Sequence, residues 1–237
     1  LCRWLRKSLK PDVVVLSNLL IGGCAPSIRA DLDIPVFATL QGDDIFLDDL
    51  IEPYRSQALS EMRNLVKSID GFIVNSDYYG NLMSEMLEIP EDMIHVVPLG
   101  IDTTDFESID RPVQKRESRC VGYLARLSKE KGLHILVDAF IQLKKRSGFE
   151  DVHLNIAGWR GSTNIDFANE QFKKLHDAGL ESSFTDHGTI SREQKLDLLS
   201  RIDLMCVPTV YREPKGLFVL ESLAAGVPVV VPEHGAF

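Results

Sequence analysis

The sequence predicts an α/β protein made of two parallel-sheet halves, and three observations carry that expectation. Short Val/Ile-rich runs alternate with helix-period segments along the chain, the pattern of βαβ units whose strands are covered on both faces. A polar stretch over residues 100–118, rich in Asp, Glu, Ser and Thr, separates the two sets of such units. With 237 residues, 44% of them hydrophobic, the chain can bury a core in each half. The expected organisation is therefore a first domain over residues 1–99, a linker over 100–118 and a second domain over 119–237.

Taken in order, the first half should form strands at Asp12 to Leu16, Pro35 to Leu40, Gly71 to Asn75 and Ile94 to Val97, each a short β-branched or apolar run. Strands of the second half are expected at Cys120 to Leu124, Val152 to Ala157, Ser183 to Asp186, Leu204 to Val207 and Pro228 to Val231. The clearest helix follows Lys131-Gly132, where Leu133, Leu136, Val137, Phe140 and Leu143 mark one face. A second long helix is expected from about Asp48 to Ser68, with Leu50, Tyr54, Leu59, Met62, Leu65 and Val66 as its apolar residues.

Charge narrows the partners. Lys and Arg total 26 against 35 Asp and Glu, a formal net charge of −9, which argues against a nucleic-acid backbone. The four cysteines, Cys2, Cys24, Cys120 and Cys206, lack CxxC pairing and fit reduced thiols in a cytoplasmic protein. No apolar run approaches the roughly 18 residues of a membrane span. Arg3, Trp4, Leu5, Arg6, Lys7 and Lys10 form a basic, partly apolar segment. It reads as a helix end covering a sheet, with peripheral contact at the inner face of a membrane as the alternative. The chain opens without Met and stops just after a strand, so a fragment cut at both ends is expected.

The most informative run is Arg212-Glu-Pro-Lys-Gly-Leu-Phe-Val-Leu-Glu221. Glu213 falls in a loop and Glu221 about one turn into the helix that follows. The backbone N–H groups near Gly216, Leu217 and Phe218 open that helix and form a seat for an anion. Amides for phosphates and carboxylates for hydroxyls are what a nucleotide-sugar requires. Spacing alone also allows a glycosidase-type acid and nucleophile, but two carboxyls in one short motif are poorly placed to straddle a glycosidic bond. Arg126 and Lys131 stand between the first strand of the second half and its helix, at the edge where open α/β sheets bind ligands. They can neutralise a diphosphate; in isolation they also fit a solvated basic loop in which Lys129 and Lys131 pair with Glu130. Gly158 lies in a turn after the next strand, and Thr209 ends another. Three loops thus belong to one rim. Gln41, Gly42 and Asp43 close a strand of the first half, in position to meet a ligand. Asp31-Leu32-Asp33 is a literal DxD but reads as a loop with too few oxygens for a metal, and the six histidines have no metal spacing.

These residues resemble the retaining GT-B glycosyltransferases of group 1, also called family 4. Gly122 to Gly132 looks like the family's G-R-L-x-x-x-K-G region, Glu213 to Glu221 like its E-x7-E, and Gly226 to Val230 like its following G-x-P-V-V strand. Asp70 to Ser76 resembles the D-x-I-I-x-x-S element, and Val97 to Asp102 the P-N-G-V-D before the linker. The resemblance implies two Rossmann-like domains facing a cleft, both incomplete in this chain. It implies transfer of a hexose from a UDP- or GDP-linked donor to a sugar, lipid-linked or small-molecule acceptor, with retention and without metal or other cofactor. Arg126 and Lys131 would hold the diphosphate, Glu213 face the sugar, Glu221 accept the ribose hydroxyls, and Gln41, Gly42 and Asp43 serve the acceptor side. Departures are Gln41-Gly42 where the family has His-Gly, Lys215 where Phe is common, which adds a phosphate contact, and Glu233-His234-Gly235-Ala236 in place of a paired glycine. A nucleotide-sugar-binding module without transferase activity is the alternative.

Overall fold

A computed structural model of the chain describes residues 1–109 and 118–237, so residues 110–117 of the expected linker lie outside the described residues. The chain divides into two compact units, Leu1–Leu99 and Gly100–Gly235.

The first unit contains α1 (Cys2–Trp4), β1 (Val14–Leu16), α2 (Ala25–Leu32), β2 (Val36–Thr39), α3 (Asp43–Asp48), α4 (Tyr54–Val66), β3 (Gly71–Val74), α5 (Asp77–Leu87) and β4 (Ile94–Val96). Its four strands are parallel and lie in chain order, β1-β2-β3-β4. β2 and β3 lie inside the sheet, so Val36, Ala38, Phe72 and Val74 are fully buried, and Met62 of α4 and Met83 of α5 pack in the same core. The D-x-I-I-x-x-S element works as a joint. Asp70 accepts a bond from the Val36 amide at 2.8 Å and pairs with Arg29 at 2.6 Å. Ser76 caps α5, accepting from the Tyr79 amide at 3.2 Å.

Two expectations are corrected here. The helix expected from Asp48 to Ser68 begins only at Tyr54, as α4; Asp48 instead ends the separate α3, and Pro53, which lacks an N–H and disfavours helical geometry in the residue before it, stands as the N-cap of α4. Asp31 and Leu32 end α2, and Asp33 is its left-handed C-cap, so the DxD is a helix end rather than a loop. In the basic segment at the start, Leu5 alone among residues 1–9 is buried.

The second unit contains β5 (Cys120–Leu124), α6 (Leu133–Lys144), β6 (His153–Ala157), α7 (Ile165–Asp177), β7 (Phe184–Gly188), α8 (Arg192–Arg201), β8 (Leu204–Cys206), α9 (Leu217–Ala224) and β9 (Val229–Val230). Its five strands among the described residues are parallel, in the order β7-β6-β5-β8-β9. The chain moves outward from β5 through β6 to β7, then returns to β5's other side for β8 and β9. That reversal opens a crevice at the carboxyl ends of β5 and β8, the place where doubly wound sheets take ligands. The apolar face of α6 (Leu133, Leu136, Val137, Phe140) is buried as its spacing predicts, against a core that includes Tyr123, Leu154 and Ile156. α8 begins with a capping box between Ser191 and Gln194. No helix among the described residues is long and apolar enough to cross a membrane.

Candidate functional site

Three loops of the second unit meet at the switch in strand order, and main-chain contacts hold them together. Leu127 N–H donates to Trp159 O at 3.0 Å, joining the β5 loop to the β6 loop. Val210 N–H donates to Glu130 O at 2.8 Å, joining the β8 loop to the β5 loop. Gly158 and Gly132 make the approach closer than any side chain allows. A Cβ on Gly158 would lie 1.7 Å from Ala125 O, and one on Gly132, whose φ is +75°, would lie 1.7 Å from Pro208 O. Tyr123, fully buried, directs its hydroxyl at the carbonyls of Arg126 (2.9 Å) and Lys131 (3.3 Å), so one phenol clasps both ends of the cationic loop.

On this frame Lys131 and Glu213, 82 positions apart, form an ion pair at 2.6 Å, the carboxylate buried and the ammonium partly so. The expected pairing of Lys129 and Lys131 with Glu130 is not what forms: Glu130 lies 3.4 Å from the exposed Arg126. Tyr211 completes the group. Its hydroxyl lies 2.6 Å from Glu213 Oε2, Lys131 donates to the same hydroxyl, and the ammonium sits 4.8 Å from the ring centroid. Burial pushes the Glu213 carboxyl up, but Lys131, Tyr211 and the Gly216 amide outweigh it and hold the group below its ordinary value. Burial, then the Glu213 charge, raises the Tyr211 hydroxyl, so it remains a neutral donor.

The anion seat is present at the start of α9. Gly216, in left-handed geometry, is the N-cap, and no side chain caps the helix. The amides of Leu217 and Phe218 therefore belong to a first turn without intrahelical acceptors. Those of Lys215 and Gly216 lean toward Glu213 Oε1 at 3.4 and 3.3 Å. The Phe218 ring is buried against Phe237, and the Lys215 side chain is half-buried. Thr209 is buried beneath this loop with no partner for its hydroxyl among the described residues. One turn into α9, Glu221 pairs with Lys195 of α8 at 2.5 Å.

In the first unit, Gln41 donates from Nε2 to Ser17 O at 2.7 Å. Asp43 faces inward: one oxygen accepts from the Leu19 amide (3.0 Å), the other from the Gln41 amide (3.1 Å). Burial pushes its carboxyl up. The Tyr79 hydroxyl accepts from the amides of Gly42 and Asp43 at 2.7 and 2.9 Å and donates to Asp44 at 2.6 Å. The inward turn of Asp43 leaves it shaping the Gln41–Gly42 corner rather than presenting a free carboxylate to a ligand. Removing the Tyr79 hydroxyl in Tyr79→Phe leaves two buried amides and a carboxylate short of a partner. An expected cost of about 1–3 kcal/mol should appear as a lower denaturation midpoint at an unchanged slope.

Tyr211, Tyr79, Tyr123 and Lys195 were not among the sequence candidates. Tyr211 carried a signal, as a hydroxyl-bearing aromatic two residues before Glu213 on the same loop. Among the described residues no group of three or more His, Cys, Asp or Glu side chains gathers as a metal site.

Comparison with known proteins adds identity to this geometry. Residues 105–237 match the family described as Glycosyl transferases group 1, and residues 1–105 match Glycosyltransferase Family 4. Mannosylfructose-phosphate synthase of Agrobacterium fabrum is 27% identical over 183 residues, 72% of this chain and 39% of that protein. Glycogen synthase of Mycobacterium tuberculosis is 28% identical over 234 residues, 97% of this chain and 54% of that protein. The chain thus spans about half the length, or less, of these curated relatives. Among solved structures, HepE of Anabaena in complex with UDP and glucose superposes with a TM-score of 0.78 at 18% identity, covering 99% of this chain and 62% of that one. Sucrose-phosphate synthase from Thermosynechococcus elongatus gives 0.78 at 19% identity, covering 98% and 58%. These likenesses show the α/β fold of the GT-B kind.

Proposed function

Because the chain belongs to the group 1 glycosyl transferases, we propose that its second unit is the donor-binding part of an enzyme that transfers a hexose from a nucleoside-diphosphate sugar to an acceptor hydroxyl with retention. One observation carries this reading: the crevice at the strand-order switch gathers Arg126, Lys131, the open end of α9 and the buried Glu213. During transfer the bond from the anomeric carbon to the phosphate oxygen breaks, and a bond to the acceptor oxygen forms on the same face. The acceptor's proton passes to the leaving phosphate oxygen. Negative charge grows on the diphosphate, where Arg126, Lys131 and the amides of Gly216, Leu217 and Phe218 oppose it. Positive charge grows on the sugar, where the Glu213 carboxylate opposes that. The reading supplies all the counter-charge from protein groups and needs no metal ion.

Glu221 is assigned to the ribose hydroxyls, accepting with the oxygen that Lys195 leaves free. Lys215, Thr209 and Gly158 are assigned to the donor's surroundings, and the Gln41–Gly42 corner to the acceptor. UDP is the first donor nucleotide to test, since HepE was solved with it, with GDP beside it. The test is calorimetric titration of the protein with UDP, GDP and their glucose and mannose conjugates, beside a product assay that reads anomeric configuration. Binding with a product of retained configuration supports the reading. Binding without product for any acceptor makes the protein a nucleotide-sugar-binding module, and no binding at all removes the donor assignment.

A further inference from the structure

Resting on that reading, the geometry around Glu213 assigns a role to a residue outside the proposed donor contacts. The hydrogen positions follow from valence alone. An ammonium cannot accept, so the Lys131 contact with Tyr211 is an N–H donating to the phenol oxygen. The single phenol hydrogen must then go to Glu213 Oε2, at 2.6 Å. Lys131 uses a second N–H on the same carboxylate oxygen, also at 2.6 Å, and a third is left over. Lysine and glutamate therefore cancel each other when no donor is bound.

A diphosphate entering the crevice competes for the Lys131 charge. What remains for Glu213 is unequal. The amides of Gly216 and Lys215 are long contacts, at 3.3 and 3.4 Å, and that of Gly216 is drawn to the diphosphate as well, whereas the phenol is short. Glu213 is buried in the free protein, and a bound donor sugar would leave little room for water to replace a lost partner. We propose that Tyr211 is a positioning residue that holds the Glu213 carboxylate toward the donor sugar while Lys131 turns to the phosphate. The groups facing this carboxylate come from three segments. The β5–α6 loop brings Lys131, with Arg126 and Glu130 beside Tyr211; the β8–α9 loop brings Tyr211 itself. The carboxyl-terminal segment brings Gly235 against the Glu213 main chain, with His234 bonded to Thr209 O at 3.2 Å. Tyr211 is the one neutral side-chain donor among them. Its bond favours the ionised carboxylate without a charge that the phosphate could draw away.

The test is Tyr211→Phe, which keeps the ring and removes only the hydroxyl, with melting temperature as the check that the fold is intact. Two readouts go together. Carbon NMR of labelled glutamate follows the Glu213 carboxylate, identified by its absence in Glu213→Gln, through a pH titration that needs no turnover. The pH profile of kcat follows the same group during transfer. We expect the carboxylate to titrate about one pH unit higher in Tyr211→Phe, the acid limb of kcat to move with it, and the donor KM to change far less than kcat. An unmoved carboxylate titration overturns the proposal whatever happens to the rate. A moved titration with an unmoved acid limb, or with a loss expressed in donor KM alone, overturns the role in transfer. If the parent protein turns over no nucleotide-sugar while the titration still moves, the proposed function fails. The hydrogen bond then stands as local structure, and its role in transfer falls with that function.

Discussion

Replacing Lys131 with methionine is expected to lower glycosyl transfer by about 100- to 1000-fold, the usual loss when a preorganised electrostatic contact to developing charge is removed. The same substitution leaves Glu213 as a buried anion with only Tyr211 and two long amide contacts. Breaking a buried pair in this one-sided way costs about 3–5 kcal/mol. The Tyr211 bond should hold the loss toward the lower end. A double-mutant cycle separates the two effects. Adding Glu213→Gln to Lys131→Met should restore part of the stability, because the stranded charge is gone, and none of the transfer. Recovery of transfer in the double variant would remove Lys131 from the donor site.

The stability difference also carries a pH signature. Glu213 has a folded-state pKa below its ordinary value, so the stability it contributes is present above the ordinary carboxylate range. It is lost as pH falls through the depressed folded value. The gap between the parent and Lys131→Met should therefore narrow on acidification, since Glu213 is protonated in both. Chemical denaturation at a series of pH values measures it directly.

The second large effect is expected at Gly132. An alanine there must take a left-handed backbone, at about 1–2 kcal/mol, and its Cβ cannot coexist with Pro208 O at 1.7 Å. The β5 and β8 loops would have to part, adding overpacking strain of about 1–3 kcal/mol. The expected sum lowers the melting temperature on the order of 10 °C. It should also weaken nucleotide binding, although no side chain of the proposed site has changed. A Gly132→Ala protein that melts like the parent and binds nucleotide equally well would show that the loops are not held by this contact.

Much of this architecture was legible in the amino-acid order. The nine strands of the described residues lie within the runs that β-branched patterning marks, apart from end residues such as Gly188, because parallel strands buried on both faces leave a dense apolar trace. The long helix expected from Asp48 starts only after Pro53, since apolar spacing continues across that residue but the helical main chain does not. The site was legible as loops and residue types, not as pairings. That Lys131 reaches Glu213 rather than Glu130 depends on β8 returning beside β5, a tertiary fact that local sequence does not contain. The partners of Asp43 were hidden for a similar reason. Its place at the close of a strand is legible, but the inward bonds from the amides of Leu19 and Gln41 are not. The tyrosine hydroxyls are not legible in the sequence, because an aromatic residue in an apolar context signals packing and not its hydrogen-bond partner. Here three of them, Tyr79, Tyr123 and Tyr211, spend their hydroxyls holding loops or carboxylates.

The close seating of Gly158 on Ala125 and of Gly132 on Pro208 has a consequence for how such a protein can diversify. The crevice is framed by peptide groups in contact with peptide groups, and main chain is common to every sequence. Side chains that project from the frame, such as Trp159 and Lys215, can be exchanged without moving it. On the proposed function, exchanges at the rim would alter which sugar or base is preferred, whereas the contacts of Gly132 and Gly158 leave no room for a side chain. A lineage built this way explores new substrates by redecorating an unchanged opening.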